Sequence, residues 1–275
     1  YQMGEIFAKY ETGEYNKTGL VRDINVQVKR ILKVATDYGF DDNLWHNYLT
    51  FFLMMSENPF SMTCEKVGAS EGSVNALVQN DFRIFKALFD YDFGPIEKDL
   101  GISCFSQISD YKAIHKKDLM YNKNVSEKVR ALSKKLEAAK DEKEFFDGVT
   151  GFYKDFGVGM FGLNKAFRID EKPEGGIAFR AINNMDTVML DDLVGYEIQK
   201  KKLVDNTEAF VQGKKANNVL LFGDSGTGKS TSIKAIVNQY YKDGLRMIEI
   251  YKHQFKYLST IIADIKNRNY KFIIY

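Results

Sequence analysis

Proline is scarce in this chain, 3 residues in 275, and cysteine scarcer still at 2. So little proline excludes a proline-rich spacer or low-complexity protein. Cys64 and Cys104 stand far apart with no Cys-x-x-Cys spacing, which excludes a disulfide scaffold or zinc ribbon and predicts two buried thiols in a reducing compartment. His46, His115 and His253 are equally scattered, so no metal-ligand cluster arises from local spacing. Long apolar runs are missing too. The nearest, residues 48–55, is broken by Thr50 and stops at Ser56 and Glu57, well short of the ~18 residues of a membrane helix. Glu5, Lys9 and Glu11 interrupt the opening segment, which does not read as a signal peptide. Nor does one sign of charge dominate: 39 basic and 37 acidic residues leave +2, which by itself calls for no nucleic-acid partner. These absences predict a cytoplasmic protein with no membrane partner. The start at Tyr1 and the apolar finish at residues 272–275 read as cut ends, so a fragment of a longer product is expected.

Core-forming residues are plentiful. Hydrophobic residues make up 44% and aromatics 14%, enough to bury a sizeable interior in one large or two ordinary domains. Up to residue 157 the periodicity is helical. Ile24, Val28, Ile31 and Ala35 share one helix face, as do Leu44, Tyr48, Phe51 and Met55 behind Asp41 and Asp42, read as first-turn acids. Val78, Phe82, Phe85 and Phe89 follow Ser73, a candidate cap, and Val125, Val129, Leu132, Leu136 and Ala139 form a further stripe. Asn58-Pro59, Gly68, Gly94-Pro95 and Gly101 separate these segments. Met54, Met55 and the nearby phenylalanines read as core packing rather than a ligand groove.

Beyond Gly157 the texture changes. Residues 165–169 and 177–182 alternate apolar and polar around the turn chemistry of residues 171–176, which predicts a β-hairpin. Then strands and helices alternate: a helix over 197–211, a short buried strand over 218–222 and a helix over 230–241. A strand over 245–251, a helix over 254–268 and a strand opening at 271 complete the series. Such alternation predicts a parallel α/β sheet. The expected class is α+β overall, with a helical region at 1–157, a β-hairpin linker at 158–186 and the beginning of an α/β nucleotide-binding domain at 187–275. Lys200, Lys201 and Lys202 with Lys214 and Lys215 read as a solvated helix face and loop.

One segment carries chemistry. Gly223-Asp224-Ser225-Gly226-Thr227-Gly228-Lys229-Ser230 matches G-x-x-x-x-G-K-[ST], the Walker A phosphate loop. Gly223, Gly226 and Gly228 allow backbone conformations that side chains block, so that successive N–H groups converge on an anion. The following helix adds its positive end. Lys229 is placed to reach the β- and γ-phosphates, and the Ser230 hydroxyl to ligate Mg²⁺.

Residues 190–197, 206–210 and 216–221, together with this loop, resemble the AAA+ ATPase module. More narrowly, they resemble a bacterial family of predicted AAA+ ATPases known only as a domain of unknown function. Residues 166–168, 183–186, 244–249 and 272–275 fit the same pattern, so the likeness is specific over about 160–275 and general before it. The resemblance implies a P-loop NTPase fold, with ATP and Mg²⁺ as cofactors. It places the segment through Gly195 near the adenine and Thr231 by the α-phosphate. It implies hydrolysis coupled to remodelling or loading of a macromolecule, a homo-oligomer, and a helical region available to a protein partner. The Walker B acids of such proteins follow the strand matching residues 272–275, so the catalytic residues are expected beyond Tyr275. Without the strand that AAA+ sheets insert between the Walker A and Walker B strands, residues 218–222 are expected to lack a neighbour. A nucleotide-controlled switch with little turnover and a P-loop kinase remain the alternatives.

Overall fold

The computed structural model describes residues 2–69, 72–113, 122–183 and 185–275, without the side chains of residues 73–76. His115 and Asn184 therefore lie outside the described residues. The chain divides into two compact units, Tyr1–Gly159 and Met160–Tyr275. No helix among the described residues is long and apolar enough to cross a membrane.

The first unit contains α1 (Gln2–Thr12), α2 (Lys17–Tyr38), α3 (Leu44–Met55), α4 (Pro59–Val67), α5 (Ser73–Phe89), α6 (Gly94–Leu100), α7 (Cys104–Ser109), α8 (Lys123–Glu137) and α9 (Glu142–Phe156). Short polar caps start many of them. Asn16, Asn43, Asn58, Asn122 and Asp141 each accept a backbone N–H from the helix they precede, a contribution of about 1 kcal/mol apiece. Ile24, Val28, Ile31 and Ala35 on α2, and Val125, Val129, Leu132 and Leu136 on α8, are buried as their spacing predicts.

Three local expectations need correction. Asp41 and Asp42 do not sit in the first turn of α3, because Asn43 takes the cap; Asp41 accepts the Ala113 N–H at 2.9 Å and Asp42 bridges Tyr111. At α5, Ser73 is the first helical residue and Gly72 holds the cap position without a side-chain bond; the Ser73 side chain lies outside the described residues. Met54 is fully buried, as core packing requires. Cys64 is buried, but Cys104 is only partly so; both thiols are free and burial pushes both above their ordinary value.

The second unit, opened by α10 (Gly159–Leu163), is built on a four-stranded sheet of order β2-β1-β3-β4. Here β1 is Ala166–Glu171, β2 Ile177–Ala181, β3 Leu245–Glu249 and β4 Lys271–Ile274. The hairpin strands pair antiparallel with Arg168 opposite Arg180, and β1, β3 and β4 run parallel. The hairpin thus forms one side of the sheet. Helices α11 (Glu197–Val211), α12 (Lys229–Tyr240) and α13 (Leu258–Ile265) complete the unit. Strand alternation divides its core: Ala166, Leu245, Met247 and Ile273 pack with α12, whereas Phe167, Ile169, Ile248 and Phe272 pack with α13. The helix expected over 254–268 is interrupted. Gln254 is buried, its side chain accepts the Tyr251 N–H and donates to the Ile169 carbonyl, and the chain makes a 3₁₀ turn over Lys252–Tyr257 before α13.

Residues 218–222 do not form the buried strand that their composition predicts. They are irregular, and Val219, Leu220 and Phe222 are 50%, 82% and 86% exposed. A strand needs a partner for its backbone, and a groove of about 410 Å³ separates this segment from β4. The Asn206 side chain takes over locally, bonding both the N–H and the carbonyl of Asn217 at 2.9 Å.

Candidate functional site

The phosphate-loop residues come together where α12 begins. Gly223, Gly226 and Gly228 have φ of +141°, +80° and +80°, a region that side-chain-bearing residues rarely adopt. Gly228 occupies the cap position of α12 without a side-chain bond, so the first-turn N–H groups of the helix are left facing the loop. A Cβ on Gly226 would meet nothing within 4 Å. Its glycine answers a conformational need, not a shortage of space.

Lys229 folds back over this loop. Its Nζ donates to the carbonyls of Gly223 (2.9 Å) and Asp224 (2.5 Å) and lies 3.3 Å from Thr227 Oγ1, which itself donates to the Asp224 carbonyl at 2.9 Å. Asp224, Ser225 and Gly226 are exposed at the loop's outer turn, and Thr231 is half-buried in the first turn of α12. Ser230 Oγ shares a 2.6 Å hydrogen bond with the Tyr275 hydroxyl.

The segment through Gly195 is anchored nearby. Leu190 is buried against Ile233, Ile236 and Val237 of α12, and Leu193 lies 4.0 Å from where a Gly228 Cβ would stand. Lys200 Nζ holds the Leu193 carbonyl at 2.8 Å. Gly195 and Tyr196 both adopt left-handed backbone, with φ of +82° and +57°, which leaves Val194, Tyr196 and Ile198 exposed beside the start of α11.

The charged row beside the loop was not legible as a site in the sequence. On the α12 face, alternation places Arg168 of β1, Glu249 of β3 and Tyr275 just after β4 side by side, at the carboxyl ends of β3 and β4. Ligands bind at that end of such sheets. Arg168 Nε donates to Glu249 Oε2 at 2.7 Å, and this bond holds the guanidinium above its ordinary value. Ser230, Tyr275, Arg168 and Glu249 wall a cavity of about 220 Å³ with Asp186 and Lys234, themselves paired at 2.7 Å. The alternation of residues 165–169 and 245–249 was the available signal, but it did not reveal which strands would be neighbours.

Ser230 faces this cavity together with two carboxylates. Mg²⁺ prefers hydroxyl, carboxylate, phosphate and water oxygens, so the Ser230 hydroxyl fits that ion, whereas the two carboxylates are engaged by Arg168 and Lys234.

Comparison with known proteins gives a limited likeness. A family described as "Protein of unknown function (DUF815)" matches residues 163–275. The chain is also similar to the replication factor C large subunit of Methanococcus vannielii, 34% identical over 74 residues. That match takes in 27% of this chain and only 15% of the length of the relative. No solved structure matches. The two matches suggest an AAA+ ATPase and nothing narrower.

Proposed function

We propose that this chain binds ATP or ADP through the loop of residues 223–230 and serves a Mg²⁺-dependent AAA+-type ATPase that remodels or loads a macromolecule. One observation carries the reading: three left-handed glycines lead into an open helix N-terminus with the Lys229 ammonium folded over the same loop. Backbone N–H groups of this loop and of α12 donate to phosphate oxygens, at the positive end of the helix. Lys229 exchanges the Gly223 and Asp224 carbonyls for the β- and γ-phosphates. Ser230, now bonded to Tyr275, would hold the metal, and Thr231 would contact the α-phosphate. The exposed apolar side chains around Gly195 offer the base a surface. Magnesium, when bound, offsets charge on the terminal phosphoryl group. The helical unit is the proposed adaptor for a protein partner, and a homo-oligomer is the proposed working form.

The test is Lys229→Ala. It removes a charge whose contacts contribute roughly 1.5–3 kcal/mol, so ATP affinity by calorimetry falls at least about tenfold while the thermal transition stays in place. Unchanged ATP binding refutes the proposal.

A further inference from the structure

The cavity beside Ser230 contains a carboxylate held through one of its two oxygens. Glu249 ends β3 with its side chain 26% exposed, and Arg168 fixes it through Oε2 alone. The other oxygen, Oε1, accepts no hydrogen bond from any described residue. Asp186, the second acid of that cavity, is 67% exposed on an irregular segment and is tied to Lys234. Glu249 is therefore the shielded and oriented acid of the two.

The position follows from topology. Arg168 and Glu249 are register partners on adjacent parallel strands, so the pair cannot drift relative to the sheet. Both lie on the α12 face, and α12 begins with Lys229 and Ser230. A carboxylate held at one oxygen, and lining the same small cavity as Ser230, is suited to accept a hydrogen bond from water. Mg²⁺ keeps several of its waters when it binds between a hydroxyl and phosphates, and those waters need acceptors. Groups in that outer shell set the orientation of the inner one, and losing one typically costs 10–100-fold in metal affinity.

We propose that Glu249, oriented by Arg168, is a positioning residue that accepts hydrogen bonds from the waters of the Mg²⁺ ion at Ser230. This rests on the phosphate-loop reading above. Glu249 touches neither the nucleotide nor the reacting atoms; it fixes the metal's water shell and so raises the metal's contribution to nucleotide affinity.

The experiment titrates ATP into the 275-residue chain by calorimetry across a series of Mg²⁺ concentrations and again in EDTA. For Glu249→Gln, the Mg²⁺ concentration giving half of the affinity gain rises about tenfold, while affinity in EDTA stays at the wild-type value. Arg168→Gln, which keeps the acid but loosens it, gives a smaller rise in the same direction. A purely structural role for the pair predicts equal losses with and without Mg²⁺, and that result overturns the proposal. So does an unchanged Mg²⁺ requirement. If Glu249→Gln melts early, the double variant Arg168→Met/Glu249→Gln leaves no unpaired charge and carries the same test. Wild-type protein that binds no ATP refutes the phosphate-loop reading and this inference together. Wild-type binding that is lost in Lys229→Ala, with Glu249→Gln indistinguishable from wild type, refutes this inference alone.

Discussion

Gly226 separates backbone conformation from packing at the phosphate loop. Its φ is +80°, and a Cβ there would meet no atom within 4 Å. Gly226→Ala therefore introduces no clash; it only makes the left-handed conformation costly, by about 1–2 kcal/mol for an ordinary L-residue. The loop is exposed and belongs to no core cluster, so this cost falls on the local arrangement of N–H groups rather than on global folding. At 1.4 kcal/mol per factor of ten, ATP affinity drops about 5–30-fold. Asparagine visits the left-handed region more readily than alanine, because its short side chain bonds locally. Gly226→Asn should accordingly lose less affinity than Gly226→Ala despite its larger side chain. Calorimetric titration of ATP into the three proteins, alongside thermal melts, reads both quantities. Equal affinity in all three, or a loss ordered by side-chain size, refutes the claim that left-handed backbone at this glycine organises the phosphate site.

Tyr240 supplies a pH prediction. Burial and its 2.8 Å hydrogen bond to Glu208 push its phenol up to about 12. A raised phenol stabilises the fold below its unfolded value of about 10, and that contribution is lost as pH rises through the folded one. The difference ultraviolet titration between wild type and Tyr240→Phe should reveal a late-ionising phenol whose midpoint Glu208→Gln moves down; a midpoint indifferent to Glu208 refutes the coupling.

The sequence by itself determined what depends on near neighbours along the chain. Helix faces such as Ile24, Val28, Ile31 and Ala35 follow from a 3.6-residue period, and the hairpin follows from alternation around a turn. The phosphate loop was equally legible, because its glycines, Lys229 and Ser230 are contiguous and its geometry is made by the backbone between them. What only the tertiary structure decided depends on partners far away in sequence. Residues 218–222 have the composition of a buried strand, and the family resemblance already implied a missing neighbour; the structure adds that they are irregular, with β4 across a groove and no strand pairing to complete their hydrogen bonds. The hairpin became part of the sheet because β1 pairs with β3, about 80 residues later. That same pairing sets Arg168 against Glu249 and carries both toward Ser230. Periodicity places each of these side chains on a face of its own strand, but which strands lie side by side is decided by the packing of the whole sheet.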